Sequence, residues 1–335
     1  MRLKWIAAGL MVTMAGVAGA QELTAAGSTF VYPILNRWAG EYKQAHPNVK
    51  INYQSIGSGG GILQASNGTV DFGATDVAMT DEQIAAAKVK TFHLPIVMGA
   101  VVLTYNLPGV TQELKFSPDV IADIYLGHIT KWNDGRIAKD NPGVNLPDKP
   151  ILPVYRSDGS GTTGIFTDYL SKVSPEWKSK VGMGGSVHWP VGIGQKGNEN
   201  VAGMVRQTPG SFGYVELIYA TVNKMAFGLV KNAAGQYIRP STGGITAAAA
   251  SYVSKIPNDY RVSITNAPGA TSYPICGFTW LLIPNQIADH SKAAAIKDFL
   301  TWVLDHGEAE AAGMSYAPLP QALADRVRKS VGNIK

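Results

Sequence analysis

Segments with helical periodicity alternate with short strand-like segments along most of the chain. The first unit carries a helical face of four apolar residues at spacings of three and four: Leu35, Trp38, Ala39 and Tyr42. That face ends at His46-Pro47, and Val49, Ile51 and Tyr53 then alternate with polar residues, as in a strand. Repeated along the chain, this pattern predicts an α/β fold with mixed, mostly parallel sheets flanked by helices.

Two further helices are marked by signals at their ends. Thr80 and Gln83 have the spacing of a capping box, in which each side chain accepts a hydrogen bond from the other residue's backbone N–H. Ser117-Pro118 and Gly127 provide a start and a stop for another helix, because proline fits the first helical turn and glycine readily adopts the conformation that ends it.

Two apolar, β-prone segments, 99–106 and 275–284, have the composition of strands that cross between two lobes. If the chain leaves one lobe at the first and returns at the second, lobe one contains residues 21–99 and 280–335. Lobe two is then the continuous stretch 100–279, and a ligand cleft lies between the lobes. Two ordinary buried strands would show the same periodicity, so the pattern leaves both arrangements open.

The first part of the chain, residues 1–20, has the features of a secretory signal peptide. Arg2 and Lys4 form the positive end, an apolar stretch follows, and Ala18-Gly19-Ala20 is a small-residue cleavage site. The apolar stretch is shorter than the roughly 20 residues that span a bilayer, which disfavours a membrane anchor. We therefore predict cleavage near Ala20 and a soluble exported protein that starts at Gln21.

The net charge indicates what kind of ligand the protein binds, and the cysteine content indicates what role its thiol has. The 335-residue chain has a formal net charge of +5, which falls to +3 when Arg2 and Lys4 leave with the signal peptide. This mild surplus suits an anionic ligand, and without a cluster of Lys and Arg it predicts no nucleic-acid partner. The single cysteine, Cys276, has apolar neighbours, which favours a buried structural thiol over a catalytic one.

Four segments combine Gly, Ser or Thr with a predicted helix start or strand end: GSTF at 27–30, GSGGG at 57–61, DFGATD at 71–76 and RSDGSGT at 156–162. A helix N-terminus presents unpaired N–H donors with partial positive charge, and glycine lets an anion approach them closely. Small hydroxyls add donors, and Arg156 adds one full cation. These groups together predict a site for a small tetrahedral oxyanion, with a net binding free energy of about 8 kcal/mol, or micromolar affinity, within reach.

Each segment taken alone has a simpler interpretation. Residues 57–61 fit a flexible turn, Thr29 a helix cap and Arg156 a surface charge. The glycines of 57–61 also lack the pattern of a nucleotide P-loop. The oxyanion hypothesis therefore depends on four features that occur together.

Taken in order, GSTF, IGSGGG, DFGATD and RSDGSGT resemble the periplasmic phosphate-binding proteins of the phosphate-specific ABC transporter. The resemblance extends over nearly the whole mature chain through YLGHITKWND at 125–134, PGSFGYVE at 209–216 and SYAPLP at 315–320. It implies a type II periplasmic binding protein fold, with two α/β lobes that close over the ligand like a hinge. It also implies a monomer that binds inorganic phosphate with high affinity, without cofactor or metal, and delivers it to the membrane permease subunits of an ABC importer.

The same resemblance implies phosphate contacts at the matched positions: Thr29, the Phe30 backbone N–H, Ser58, Asp76, Arg156, Ser160, the Gly161 backbone N–H and Thr162. Asp158 matches an acidic partner that orients the arginine. The chain departs from the family at Ser28, where a smaller residue is frequent, and at Gly59, where a second serine can occur. We expect both departures to affect the shape of the loops and not the identity of the ligand.

Asp76 is the residue whose chemistry selects the ligand. A carboxylate repels an anion unless the ligand offers it a hydrogen, and phosphate near neutral pH still carries acidic hydrogen whereas sulfate carries none. A buried acceptor that the wrong ligand leaves unpaired lowers that ligand's affinity by roughly 10⁴-fold or more. We therefore predict that Asp76 favours phosphate over other oxyanions such as sulfate and molybdate.

The main competing function is an enzyme, a hydrolase or phosphatase with Ser160 as its nucleophile. Ser160 lacks the surroundings of a Gly-x-Ser-x-Gly elbow. The histidines are scattered without metal-ligand spacing: His46, His93, His128, His188, His290 and His306. The sequence therefore favours a binding protein over an enzyme.

Overall fold

A computed structural model describes residues 21–335, so the predicted signal peptide lies outside the described residues. Its strands are β1 (Gln21–Gly27), β2 (Val49–Ser55), β3 (Phe72–Thr75), β4 (Thr91–Tyr105), β5 (Lys115–Phe116), β6 (Leu152–Arg156), β7 (Ile193–Gln195), β8 (Ser211–Glu216), β9 (Ala226–Phe227), β10 (Leu229–Lys231), β11 (Tyr237–Ile238) and β12 (Cys276–Pro284). Its α-helices are α1 (Tyr32–Ala45), α2 (Ser58–Asn67), α3 (Asp81–Ala86), α4 (Pro118–Leu126), α5 (Gly135–Asp140), α6 (Gly161–Val173), α7 (Pro175–Lys180), α8 (Gly197–Gln207), α9 (Leu217–Val222), α10 (Thr242–Ala250), α11 (His290–Trp302), α12 (Glu308–Ala311) and α13 (Gln321–Gly332).

Most strands belong to one mixed sheet with the order β2-β1-β3-β12-β4-β8-β6-β7, and β9 pairs with β4 beside that path. The two outer parts are parallel: β1 pairs with β2 and β3, and β6 pairs with β7 and β8. The pairs β3-β12, β12-β4 and β4-β8 in the middle are antiparallel. A small second sheet has the order β11-β10-β5. The chain thus has α/β architecture, with parallel units on both sides of two antiparallel central strands.

The central strands β4 and β12 correspond to the two segments in which the sequence predicts crossings. β4 pairs with β12 from Thr91 to Ala100 and then with β8 from Val101 to Tyr105, so a single strand belongs to both halves of the sheet. It begins earlier than residue 99, the predicted start of the crossing. The division into lobe one (21–99 and 280–335) and lobe two (100–279) stays a prediction, and the two names are used below for those ranges.

The helices with clear end signals form as predicted. α1 buries Leu35, Trp38 and Tyr42 on one face and ends at Ala45, with His46 as its C-cap. Thr80 and Gln83 form both bonds of the capping box at the start of α3. α4 ends at Leu126, and its C-cap is Gly127, whose φ of 82° is in the left-handed region. Local capping chemistry and apolar spacing therefore set these boundaries.

The glycine-rich segment that fits a flexible turn instead forms the first turn of helix α2, which begins at Ser58. Glycine lowers helix stability by about 1 kcal/mol relative to alanine, so the sequence gives little sign of this helix. Close packing explains the glycines: a Cβ on Gly61 would stand 2.5 Å from the Ala74 carbonyl oxygen and 2.6 Å from the Gly27 Cα. α2 therefore lies directly against the ends of β1 and β3.

The interior is built from the buried faces of the sheet and its helices. Trp38 is fully buried and donates its indole N–H to the Gly307 carbonyl oxygen at 2.9 Å. Cys276 is buried, as predicted for a structural thiol, and burial raises its pKa to about 12. Within residues 21–335, no helix is long and apolar enough to cross a membrane.

Candidate functional site

The predicted ligand residues lie at or just after the carboxyl ends of four strands. β1 ends at Gly27, β2 at Ser55, β3 at Thr75 and β6 at Arg156, and each is followed by a segment that carries predicted contacts. In open α/β sheets, ligands bind beyond the carboxyl ends of the strands, where the following helices begin. All the predicted contact residues are buried there: Thr29, Phe30, Ser58, Asp76, Arg156, Ser160, Gly161 and Thr162.

Asp76 lies at the centre of a cluster of hydroxyl groups. Its Oδ2 accepts hydrogen bonds from Ser28 Oγ at 2.5 Å and Ser58 Oγ at 3.2 Å, and its Oδ1 accepts one from Thr279 Oγ1 at 2.6 Å. Burial raises the pKa of Asp76 to about 6, although the hydroxyls and the positive charge of Arg156 act to lower it. The carboxylate is therefore ionised at neutral pH and loses its charge under mildly acidic conditions.

Arg156 is held by a two-bond ion pair with Asp158. Arg156 Nε donates to Asp158 Oδ1 at 2.8 Å, and Nη2 donates to Oδ2 at 2.6 Å. Burial acts to raise the pKa of Asp158, but the hydrogen bonds and charge of Arg156 outweigh it, so the net pKa lies below its usual value. These two parallel hydrogen bonds to Asp158 fix the plane of the guanidinium. The remaining nitrogen, Arg156 Nη1, therefore points toward Thr162 and donates to its Oγ1 at 3.3 Å.

Asn198, at the start of α8, connects predicted contacts from both lobes. Its Nδ2 donates to Thr29 Oγ1 at 2.8 Å and to Thr162 Oγ1 at 3.0 Å, and its side chain is fully buried. No motif in the sequence marks this residue, since the preceding segment, 193–196, combines none of the features that mark the four predicted segments. Sequence reasoning missed Asn198 because only the folded chain brings it to the other loops.

The hydroxyl hydrogens of Thr29 and Thr162 have no protein acceptor within residues 21–335. Both oxygens act only as acceptors, from Asn198 in the case of Thr29 and from Asn198 and Arg156 in the case of Thr162. A buried hydroxyl normally both donates and accepts. The two hydrogens therefore remain available for an acceptor that is not part of the protein, such as an oxyanion.

Three other predicted contacts, at Ser160, Phe30 and Gly161, differ in the groups that surround them. Ser160 Oγ accepts from the Thr163 N–H at 3.1 Å as the N-cap of α6, which leaves its hydrogen free to donate. The Phe30 N–H, a predicted contact, donates to Ser28 Oγ at 3.0 Å. A Cβ on Gly161 would lie 2.5 Å from both Asp76 Oδ2 and Ser58 Oγ, so only glycine fits where the start of α6 meets lobe one.

Ser28 makes polar contacts that sequence reasoning missed. Its hydroxyl donates to Asp76 and accepts from the Phe30 N–H. That this departure from the family leaves the identity of the ligand unchanged stays a prediction. The signal in the sequence is that Ser28 lies next to Thr29 in the GSTF segment. Thr279, the other hydroxyl that sequence reasoning missed, comes from the middle of β12 and belongs to none of the four segments.

The two lobes meet over this cluster. The Gly59 N–H of lobe one donates to the Gly159 carbonyl oxygen of lobe two at 2.9 Å. Tyr219 of lobe two donates its hydroxyl to the Thr29 carbonyl oxygen at 2.6 Å. With Asp76 2% exposed and Arg156 3% exposed, the cluster is shut off from solvent, as in a closed binding protein.

A cavity of about 410 Å³ adjoins Asp76 between the lobes, among apolar residues that include Val77, Ile165 and Trp280. None of the other predicted phosphate contacts lines it. Among the predicted contacts, the cavity therefore reaches only Asp76, and the other groups of the hydroxyl cluster lie outside its lining.

Comparisons with known proteins agree with this architecture. A family model described as the PBP superfamily domain matches residues 13–306. The phosphate-binding protein PstS of Xylella fastidiosa is 45% identical over 307 residues, which cover 91% of this chain and 84% of that protein. The phosphate-binding protein PstS of Pasteurella multocida is 44% identical over 320 residues, 95% of this chain and 92% of that protein.

Among solved structures, a phosphate binding protein from Stenotrophomonas maltophilia has a TM-score of 0.69 at 18% identity, with 92% of this chain and 94% of that chain covered. This likeness confirms the predicted α/β fold of the periplasmic binding proteins. The sequence identities to the two curated relatives, over nearly their whole lengths, then identify the family more narrowly. The chain belongs to the PstS family of phosphate-binding proteins, within the PBP superfamily.

Proposed function

We propose that this protein binds inorganic phosphate in the periplasm and delivers it to the permease subunits of an ABC importer. The observation that carries the proposal is the pair of buried threonine hydroxyls, Thr29 and Thr162, whose hydrogens lack a protein acceptor within residues 21–335. Arg156 adds a positive charge beside them. The names of the PstS relatives support phosphate as the anion.

The phosphate contacts are the predicted set: Thr29, the Phe30 N–H, Ser58, Asp76, Arg156, Ser160, the Gly161 N–H and Thr162. Asp76 accepts the acidic hydrogen of the ligand. Ser58 makes the longest of the three hydroxyl contacts with Asp76, at 3.2 Å, so its hydrogen is the one most easily redirected to the ligand. Ser28 shares the Phe30 N–H with the ligand, because its hydroxyl accepts from that group in the structure.

Ligand delivery follows from closure of the two lobes, 21–99 with 280–335 and 100–279. Contacts such as Gly59 to Gly159 form only when the lobes are together, so the importer can distinguish loaded from open protein by shape. The protein acts as a monomer after cleavage near Ala20. It is a carrier and not an enzyme: the partner of Ser160 Oγ is a backbone N–H, which cannot act as the base that a serine nucleophile requires.

Calorimetric titration of the purified mature protein with phosphate and with sulfate tests this function. We expect one phosphate site of about micromolar affinity or tighter at pH 8, and sulfate binding weaker by roughly 10⁴-fold. A chromogenic phosphate ester incubated with the same protein should show no turnover. Absence of binding heat with phosphate, or equal affinity for sulfate, would contradict the proposal.

A further inference from the structure

We propose that Asn198 is a positioning residue that makes Thr29 and Thr162 obligatory donors to the ligand. The inference rests on the proposed phosphate function and adds a residue outside the predicted contact set. It starts from the Asn198 side chain, whose Nδ2 donates to both threonine oxygens, at 2.8 Å and 3.0 Å.

The orientation of the Asn198 amide is fixed by its other end. Oδ1 accepts a hydrogen bond from the Glu216 backbone N–H at 3.0 Å, and an N–H group cannot accept from an amide nitrogen. A flipped amide would place its NH₂ group against the Glu216 N–H and its oxygen against the two threonines. The observed orientation is therefore the one that gives the threonines two donor hydrogens.

A threonine oxygen has two lone pairs, and each of these two oxygens receives two N–H donors. Thr29 Oγ1 accepts from Asn198 Nδ2 and, at 3.4 Å, from the Asn198 backbone N–H. Thr162 Oγ1 accepts from Asn198 Nδ2 and Arg156 Nη1. None of these groups can accept a hydrogen. Each hydroxyl hydrogen is thereby directed away from the protein donors, toward the space where the ligand binds.

The same amide also joins the two lobes. Thr29 belongs to lobe one, whereas Asn198 and Thr162 belong to lobe two, so the Asn198 to Thr29 bond forms only on closure. Asn198 is fully buried, which strengthens its hydrogen bonds relative to exposed ones. The Asn198 side chain thus contributes one of the bonds between the lobes and also directs both hydroxyl hydrogens.

Phosphate titration of Asn198→Ala is the first measurement. Each oxygen keeps one donor in this variant, so we expect affinity to fall by about tenfold, since the hydrogen bonds of both hydroxyls to the charged ligand are weakened but not lost. The matched control is Asn200→Ala in the same helix, where the side chain donates to the Lys196 carbonyl oxygen at the surface, and affinity should not change. Asn198→Asp keeps the shape of the side chain but turns both hydroxyls toward its carboxylate, so affinity should fall further than in Asn198→Ala.

A double-mutant cycle separates hydroxyl positioning from a merely structural role. The background protein carries Thr29→Val and Thr162→Val and is titrated with phosphate up to millimolar concentration. Adding Asn198→Ala to it should cause little further loss of phosphate affinity, because the hydroxyls that Asn198 orients are already absent. Thermal unfolding of each variant verifies that it is folded. Additive losses in the cycle, or wild-type affinity in Asn198→Asp, would overturn the role of Asn198 even though wild-type protein binds phosphate. Failure of the wild-type protein to bind phosphate would instead contradict the proposed function itself.

Discussion

At Asp76, hydroxyl groups from Ser28, Ser58 and Thr279 converge on a single buried carboxylate. Two opposing effects set its charge. Burial favours the neutral acid, and the hydroxyl donors together with Arg156 favour the anion, which leaves a pKa of about 6. The residue that chooses the ligand is therefore sensitive to pH within the range in which phosphate itself titrates.

The selectivity for phosphate over sulfate should fall as the pH falls through about 6. Above that pH, ionised Asp76 accepts a hydrogen from phosphate and repels sulfate; below it, protonated Asp76 can donate a hydrogen to sulfate. Calorimetric titrations of the wild-type protein with both anions at pH 8 and pH 5 measure the change. We expect the affinity ratio to shrink by at least about tenfold, and a ratio independent of pH would contradict this assignment.

Ser28→Ala should move this change to higher pH. The Ser28 hydroxyl stabilises the Asp76 anion, so its removal raises the pKa of Asp76 further above its value of about 6. The same titrations, repeated at intermediate pH values, locate the midpoint of the loss of selectivity. A Ser28→Ala protein with an unchanged midpoint would show that the hydroxyl does not influence the selecting carboxylate.

At the residue scale, the sequence reveals groups that occur in compact motifs and misses those that arrive from elsewhere. Arg156 with Asp158 is recognisable because the pair lies within one short segment, RSDGSGT. Thr279 and Asn198 come from a central strand and a separate helix start, with no local pattern around them. Only the tertiary structure brings such side chains to the site, and no local pattern in the sequence indicates that residues far apart in the chain lie close together in the fold.

At the scale of elements, α2 shows packing overriding helix propensity. Gly61→Ala should destabilise the protein although alanine is the better helix former, because the added Cβ would lie 2.5 Å from the Ala74 carbonyl oxygen. Gly40→Ala is the matched control: Gly40 lies in α1 with no atom within 4 Å of an added Cβ, so stability should rise by about 0.5 to 1 kcal/mol. Thermal unfolding measures both, and a stabilised Gly61→Ala protein would contradict the packing argument.

The difference between local signals and tertiary packing explains which elements could be predicted. α1 and α3 follow from apolar spacing and from capping chemistry, which act between neighbours in the chain. α2 was not predicted as a helix, since its glycines serve contacts with β1 and β3 that no local pattern records. The early start of β4 at Thr91 was missed for a related reason, because its pairing with the distant strand β12 sets its length.

At the scale of the whole molecule, closure depends on a tight contact at the start of α6. Gly161→Ala should oppose closure, because its Cβ would stand 2.5 Å from both Asp76 Oδ2 and Ser58 Oγ across the cleft. We expect phosphate affinity to fall by at least about a hundredfold, since an overpacked contact costs about 1 to 3 kcal/mol and a backbone donor is displaced as well. The lobes themselves should remain folded.

Small-angle X-ray scattering with and without phosphate measures closure directly. Wild-type protein should become more compact with phosphate, and Gly161→Ala should not. Gly203→Ala in α8 is the control, because an added Cβ there meets no atom within 4 Å, and it should behave as wild type. Normal compaction and affinity in Gly161→Ala would show that the loops do not close as tightly as the structure indicates.

The most direct test of phosphate selection is the ratio of phosphate to sulfate affinity in wild-type protein and in Asp76→Asn, measured by calorimetry at pH 8. Asparagine keeps the shape of the side chain but supplies an N–H donor in place of an anionic acceptor. We predict a ratio of roughly 10⁴ for the wild-type protein and its near disappearance in Asp76→Asn. A ratio that survives the substitution would contradict the account, because some other group would then be choosing the ligand.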